Sequence, residues 1–320
     1  MDHSFPFDPT NGLTQEELLQ IPTPEEPENF RAFWEETCLL TRSHTPCWHI
    51  EKEIWSGDSS IRTYQIKAKT WDNREIVMWI SRPEHSRGGL LIGQGYGNPA
   101  TPLTDPDLTV CYPCVRGLGH SQCKDIPWEA AKHVLVGIHS KETYILRGAV
   151  TDLWTAATVL LDMFPDTGDN LNYSGSSMGG GMGALMLSWD DRFHSGYLHV
   201  PSFGGNPFRL RYESRGSGEA VRKYVQEHPE AGNILQYFDA AIAAKYIRKP
   251  VILLPALFDP VVAPVGQFCV CNAVPEEYKK LFIVETGHYA ATDKCREVMS
   301  EADCLKRKLF LSSPSEKSLM

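Results

Sequence analysis

The sequence predicts an α/β fold in which a mostly parallel central sheet is covered by helices on both faces. Three observations carry that expectation. Short apolar runs of strand length recur along the chain, longer segments with helical periodicity lie between them, and the two kinds alternate in order. The length of 320 residues fits one large α/β domain as well as about two domains at about 150 residues each. No internal repeat or linker-like tract divides it. We read residues 1–320 as a single domain, with 1–50 as an N-terminal arm packing on the core and 312–320 as a frayed tail.

The arm is rich in Pro and Glu and contains one amphipathic stretch, 27–40. There Phe30, Phe33, Trp34 and Cys38 recur at helical spacing, so this helix is expected to lie against the main body. From 61 to 81 the pattern alternates, as in Tyr64-Gln65-Ile66-Lys67-Ala68 and Glu75-Ile76-Val77-Met78-Trp79. Alternation predicts a hairpin at a sheet edge, turned near Trp71-Asp72-Asn73. Beyond it, 89–92, 108–111, 133–136, 171–174, 251–254 and 281–284 read as strands buried on both faces. Helices are expected over 143–164, 178–189, 216–228, 234–246 and 292–311.

Charge and composition narrow the function. Against 31 basic side chains stand 40 acidic ones, a formal net charge of -9, which repels phosphate backbones; the densest basic stretch, 306–308, reads as a solvated helix end. Nucleic acid is therefore not an expected partner. No apolar run approaches the roughly 18 residues of a membrane span. The N-terminus carries no Lys or Arg before Arg31 and no apolar stretch of signal length. The nine cysteines, odd in number and scattered, read as thiols of a reducing compartment. A cytoplasmic protein without membrane contact is the expectation. Asn172-Tyr173-Ser174 matches a glycosylation acceptor but falls inside a strand expected to be buried.

The sharpest local signal is Gly175-Ser176-Ser177-Met178-Gly179. It fits G-x-S-x-G, follows an expected strand and opens an expected helix, the context a nucleophile elbow requires. A Cβ two positions either side of the serine would collide with neighbouring backbone, so glycine is needed at Gly175 and Gly179. Ser177 Oγ would stand above the helix N-terminus, where amides and the helix dipole favour developing negative charge. Met178-Gly179-Gly180-Gly181-Met182 carries further glycines into the helix, each costing about 1 kcal/mol against alanine. Close approach of helix to sheet is the expected reason.

A serine nucleophile needs a base held by a carboxylate. On α/β-hydrolase scaffolds these follow the serine in the order acid, histidine, on loops after later strands. His288 directly follows the last expected strand and is the favoured base over His194, His199 and His228. Asp259 ends the penultimate strand and is the favoured acid, although an Asp before Pro260 also suits a turn cap. Asp239, read as mid-helix, and Asp293, which follows the histidine, do not fit. One oxyanion donor is expected from the amide of Met178. The other is expected from the glycine-bearing loop Ile92-Gly93-Gln94-Gly95-Tyr96-Gly97-Asn98.

Other readings remain open. Cys111, Cys114, His120 and Cys123 form C-x2-C-x5-H-x2-C, a spacing that suits structural zinc. Cys111 and Cys114 begin on an expected buried strand, however, where thiols pack as small hydrophobes, so neither a metal nor a cofactor is assigned. A serine peptidase of the prolyl-oligopeptidase type shares the elbow and the triad order. A hydrolase relative that binds without turnover is the non-enzyme alternative.

From about Glu28 to Leu311 the chain resembles the acetyl xylan esterase and cephalosporin C deacetylase family, carbohydrate esterase family seven. The resemblance rests on Phe33-Trp34, Gly95-Tyr96-Gly97-Asn98, Arg116-Gly117, residues 144–152, the elbow through Gly181, Val200-Pro201, Tyr237-Phe238-Asp239, Leu257-Phe258-Asp259 and Gly287-His288. It implies an α/β-hydrolase fold and a serine esterase that deacetylates small acetylated carbohydrates and related acetyl esters. It also implies a homo-oligomer, a ring-shaped hexamer with inward-facing sites. By the same match Ser177, Asp259 and His288 form the triad, and the amides of Tyr96 and Met178 the oxyanion hole. Three positions depart from the family pattern: Leu118 stands where Arg-Gly-Gln has glutamine, Cys114 where an acidic residue is usual, and Tyr289 where glutamate follows the histidine.

Overall fold

A computed structural model of the chain describes residues 3–55, 60–97 and 101–317. Its centre is a nine-stranded sheet in the order β1-β2-β3-β5-β4-β6-β7-β8-β10. The strands are β1 (Trp48–Trp55), β2 (Ile61–Lys69), β3 (Glu75–Pro83), β4 (Gly89–Gly93), β5 (Thr109–Cys114), β6 (Leu171–Ser176), β7 (Phe193–His199), β8 (Val251–Leu254) and β10 (Lys279–Leu281). Pairing is antiparallel from β1 through β5 and parallel from β5 onward. The expected hairpin is β2–β3, and its turn residue Asn73 adopts a left-handed φ of 62°. A small second sheet pairs β9 (Ala256–Phe258) with β11 (Val284–Thr286) in parallel, just beyond β8 and β10.

Alternate residues of the parallel strands enter two separate cores, which is why these strands read as continuous apolar runs. Leu91, Cys111, Tyr173, Leu198 and Leu253 face one cluster, covered by α2 (Phe30–Ser43), α4 (Ile145–Met163), α5 (Met178–Leu187) and α9 (Ala240–Ala244). Their neighbours Leu90, Val110, Tyr197, Ile252 and Leu254 face the other, covered by α11 (Asp293–Leu311). The amphipathic helix of the arm is α2. It buries Phe30, Phe33, Trp34 and Cys38, and the Trp34 indole donates to the Tyr237 carbonyl at 2.7 Å.

Several elements differ from the expectation. Residues 133–136 are not a strand: they continue α3 (Ala130–His133) through turns, with Val134 N–H donating to Ala130 O. A short apolar run cannot be told from a buried helical segment by periodicity alone. Strand β7 escaped notice because His194, Ser195 and His199 interrupt its apolar pattern. Inside the fold Ser195 Oγ donates to Asn172 Oδ1 at 2.6 Å, so the two buried polar groups satisfy each other. The 234–246 helix is two, α8 (Ala231–Gln236) and α9, because Asp239 caps α9 through the Ala241 N–H. The 281–284 strand is split between β10 and β11. Helix α10 (Pro264–Ala273) was not anticipated; the remaining helices are α1 (Gln15–Leu18), α6 (Asn206–Arg209) and α7 (Gly216–Glu227). Residues 312–317, read as part of a frayed tail, are tied to the sheet where Lys317 Nζ donates to Asn172 Oδ1 at 2.6 Å.

Cys111 and Cys114 lie three apart on β5, so their side chains point to opposite faces of the pleat, and burial pushes both thiols up. Among the described residues, no group of three or more His, Cys, Asp or Glu could hold a metal ion. Among the same residues, no helix is long and apolar enough to cross a membrane. Asn172 is wholly buried in β6.

The glycines of α5 confirm the close approach of helix to sheet. A Cβ on Gly181 would meet the Ser202 carbonyl oxygen at 2.2 Å, and one on Gly183 the Tyr173 ring at 2.3 Å. Alanine at Gly181 gains about 1 kcal/mol of helix propensity, whereas forcing a methyl into a packed core costs about 1–3 kcal/mol. Gly181→Ala is therefore expected to lower the urea midpoint. An unchanged or raised midpoint would contradict this packing.

Candidate active site

The elbow forms at the C-terminal end of β6, in the middle of the parallel strands. Ser177 has φ 57° and ψ -120°, a conformation non-glycine residues rarely adopt. Its backbone is held on every side: its N–H donates to His199 O at 3.0 Å, and its carbonyl accepts from Gly181 and Ser202. Glycine is required around it. A Cβ on Gly175 would meet Gly179 O at 2.4 Å, and one on Gly179 would meet Gly93 O at 2.3 Å. Met178 opens α5 directly after the serine, so its amide belongs to the helix N-terminus.

The Gly93–Gly179 approach lays the loop after β4 against the start of α5. That loop is pinned by two side chains. Gln94 Oε1 accepts from the Val115 N–H at 3.1 Å, and the Tyr96 hydroxyl lies 2.7 Å from His133 Nδ1. His133 Nε2 is 2.9 Å from the Arg116 carbonyl, which can only accept. Nε2 therefore carries the proton, and Nδ1 accepts from Tyr96. Burial lowers the His133 pKa and favours this neutral ring. Arg116 in turn forms ion pairs with Asp152 and Asp72 at 2.8 and 2.6 Å. His133, which the sequence reading placed on a strand, thus braces the Tyr96 loop. Asn98 of the same loop lies outside the described residues.

Asp259 follows β9 and is almost wholly buried. Its Oδ1 accepts from the amides of Val261 and Val262 at 2.8 and 3.0 Å; its Oδ2 accepts from Gln267 Nε2 at 2.9 Å and from His288 Nδ1 at 2.8 Å. One oxygen caps the turn and the other holds the imidazole. Gln267 is itself fixed, accepting from the Ala256 N–H and donating to Val262 O. It was invisible in sequence because α10 was. A Cβ on Gly287 would meet Asp259 Oδ2 at 2.1 Å, so only glycine lets this loop close on the carboxylate. With Nδ1–H bound to Asp259, the imidazole presents a lone pair at Nε2.

Ser177 leaves the large sheet, and Asp259 and His288 the small one, at the carboxyl ends of their strands, the usual edge for ligands in such sheets. The hydrogen bonds among the described residues join His288 to Asp259 and do not join Ser177 to His288. His199 lies between: its carbonyl holds Ser177, and its ring senses the charges of both His288 and Asp259. Its Nδ1 is 3.2 Å from Ser176 Oγ, making a second serine–histidine pair. Among the described residues no carboxylate bonds that ring, and its buried Nε2 has no hydrogen-bond partner. Burial, with the nearby His288, pushes its pKa down to about 4, so it is a poor base. The departures at Leu118 and Cys114 fall in the buried interior, and Tyr289 is half-exposed beside His288.

The depressed pKa makes a prediction. Unfolded His199 takes up a proton near pH 6.5, whereas the folded ring resists until about pH 4. Between those values the unfolded state binds more protons, so stability falls as the pH falls, by about 3 kcal/mol at most from this residue. Urea unfolding of wild type and His199→Gln is expected to show a shallower pH slope in the variant across this window. Equal slopes would contradict the assignment.

The comparisons with known proteins bear on the family and the fold. The family model described as acetyl xylan esterase (AXE1) matches residues 13–300. No curated protein matches. Among solved structures, an acetyl xylan esterase from Paenibacillus sp. R4 superposes with a TM-score of 0.77 at 17% identity, over 91% of this chain and 99% of that one. Acetyl xylan esterase 1 from Thermoanaerobacterium sp. JW/SL YS485 gives 0.74 at 18%, over 91% and 98%. An acylaminoacyl peptidase from Pyrococcus horikoshii gives 0.56 at 12%, over 84% of this chain but 49% of that one. These likenesses show the α/β-hydrolase fold, and the match of the family model over most of the chain shows that it belongs to the acetyl xylan esterase family of carboxylic ester hydrolases.

Proposed function

We propose that the chain is a serine esterase that removes acetyl groups from small acetylated carbohydrates, acetyl xylo-oligosaccharides among them, and from related esters such as cephalosporin C. The carrying observation is an imidazole whose Nδ1 is locked onto a buried carboxylate, in a chain that also holds a strained elbow serine. Rotation of the Ser177 hydroxyl toward His288 Nε2 completes the triad, a contact that commonly tightens only when substrate binds. His288 takes the Ser177 proton as Oγ attacks the acetyl carbonyl, and Asp259 stabilises the imidazolium. The amides of Met178 and Tyr96 receive the oxyanion, each donor worth about 3 kcal/mol. His288 returns the proton to the leaving alcohol. Water, activated by the same ring, then releases acetate from Ser177.

A cavity of about 30 Å³ lined by Ser202, Phe203, Val261 and Val262 supports a small acyl group. Its walls touch both halves of the site: the Ser202 amide bonds the Ser177 carbonyl, and the Val261 and Val262 amides bond Asp259. Nine free cysteines support action in a reducing compartment, the cytoplasm. Exposed Leu39, Leu40, Ile50 and Trp128 support self-association, with the hexamer as the form proposed. A peptidase reading predicts cleavage of a peptide amide, and a binding protein predicts no turnover.

Hydrolysis of an acetyl aryl ester tests the reading. Ser177→Ala is expected to lower kcat at least about 10³-fold with the fold intact by circular dichroism. Activity surviving that substitution would overturn the serine assignment, and a wild type inert toward every acetyl ester would overturn the esterase.

A further inference from the structure

An aromatic wall stands on the outer side of the Asp259–His288 pair. Phe258 precedes the acid and Tyr289 follows the histidine, and their rings lie 5.2 Å apart. The N-terminal arm adds two more rings. Phe5 is 5.8 Å from Tyr289 in an edge-on contact, and His3 is 5.4 Å from Phe258. The arm is bonded to the catalytic loops rather than draped over them. Pro9 O accepts from the Asp259 N–H at 3.1 Å, Asn11 Oδ1 accepts from the Val265 N–H at 3.2 Å, and the Arg215 guanidinium sits 4.4 Å over the Phe5 ring. Phe258 is buried beneath this group, whereas Tyr289 remains 38% exposed, one of six large apolar residues so exposed among the described residues.

The chemistry of acyl transfer decides what meets that wall. The imidazole that accepts the serine proton must return it to the leaving oxygen, so that oxygen stands at His288 Nε2. The carbon skeleton behind it extends past the imidazole, and Tyr289 follows that imidazole directly in the chain. We infer that Tyr289 and Phe5 form a leaving-alcohol subsite for acetyl esters whose alcohol carries a ring with a flat C–H face. Such a face packs against an aromatic ring, whose negative π surface attracts polarised C–H groups. Two stiff aromatic residues provide this contact with little ordering of side chains. A pyranose and an arene both present the required face.

This subsite rests on the serine-esterase reading, and its test separates the two. Wild type, Tyr289→Ala, Phe5→Ala and Tyr289→Phe are assayed on an acetylated methyl pyranoside, on benzyl acetate and on ethyl acetate. In the two alanine variants the ratio of kcat/KM for ring-bearing over ringless acetate is expected to fall about fivefold through KM. Tyr289→Phe is expected to keep the wild-type ratio. Loss confined to the pyranoside or to benzyl acetate identifies which ring the wall serves. Ratios unchanged in both alanine variants would overturn the subsite while leaving the esterase intact. A wild type that hydrolyses none of the three acetates would overturn both.

Discussion

Four donors converge on one buried carboxylate, and most of the site is arranged around that convergence. Burying an ionised Asp259 costs several kcal/mol unless its lone pairs are filled. The Val261 and Val262 amides fill one oxygen, and Gln267 and His288 fill the other. The donors come from three requirements of the fold: a turn that caps itself, a helix whose glutamine is anchored on both sides, and a loop that closes because Gly287 has no side chain. The imidazole is held at one nitrogen and leaves the other free for the serine. The arm joins the same arrangement, since Pro9 takes the Asp259 amide proton.

A second framework acts on the opposite side of the serine. Arg116, buried and ion-paired with Asp152 and Asp72, offers its carbonyl to His133, which receives the Tyr96 hydroxyl, which fixes the loop beside the start of α5. Polar networks of this kind are costly when incomplete and rigid when complete. The chain here is continuous from ion pair to loop. Between the two frameworks lies Ser177, whose strained backbone is held by β7 and α5 alike. Strain at such a residue persists only because its neighbours determine it from both sides.

Much of this was legible in the sequence. The elbow, Asp259 and His288 stood out because their signals are local: two glycines around a serine, and polar residues directly after apolar strand runs. The two-faced sheet was legible because its strands lack polar alternation. The rest depended on partners distant in sequence. His133 looked like the first residue of an apolar strand, since nothing near it announces Tyr96 or Arg116. Strand β7 was hidden by polar residues that satisfy one another only across the sheet. Gln267 lay in a helix without a strong pattern. The Phe5–Tyr289 contact joins residues near opposite ends of the chain, which no periodicity can report.

Two serines adjoin here, Ser176 with its Oγ 3.2 Å from the His199 ring, and Ser177, whose proposed base His288 alone has a carboxylate behind its ring. Covalent labelling with an organophosphorus fluoride, followed by peptide mass mapping, reads directly which serine is activated. The account predicts stoichiometric label on Ser177, lost when His288 is replaced by alanine and kept when His199 is replaced by glutamine. Label on Ser176, or label on Ser177 that persists without His288, would contradict it.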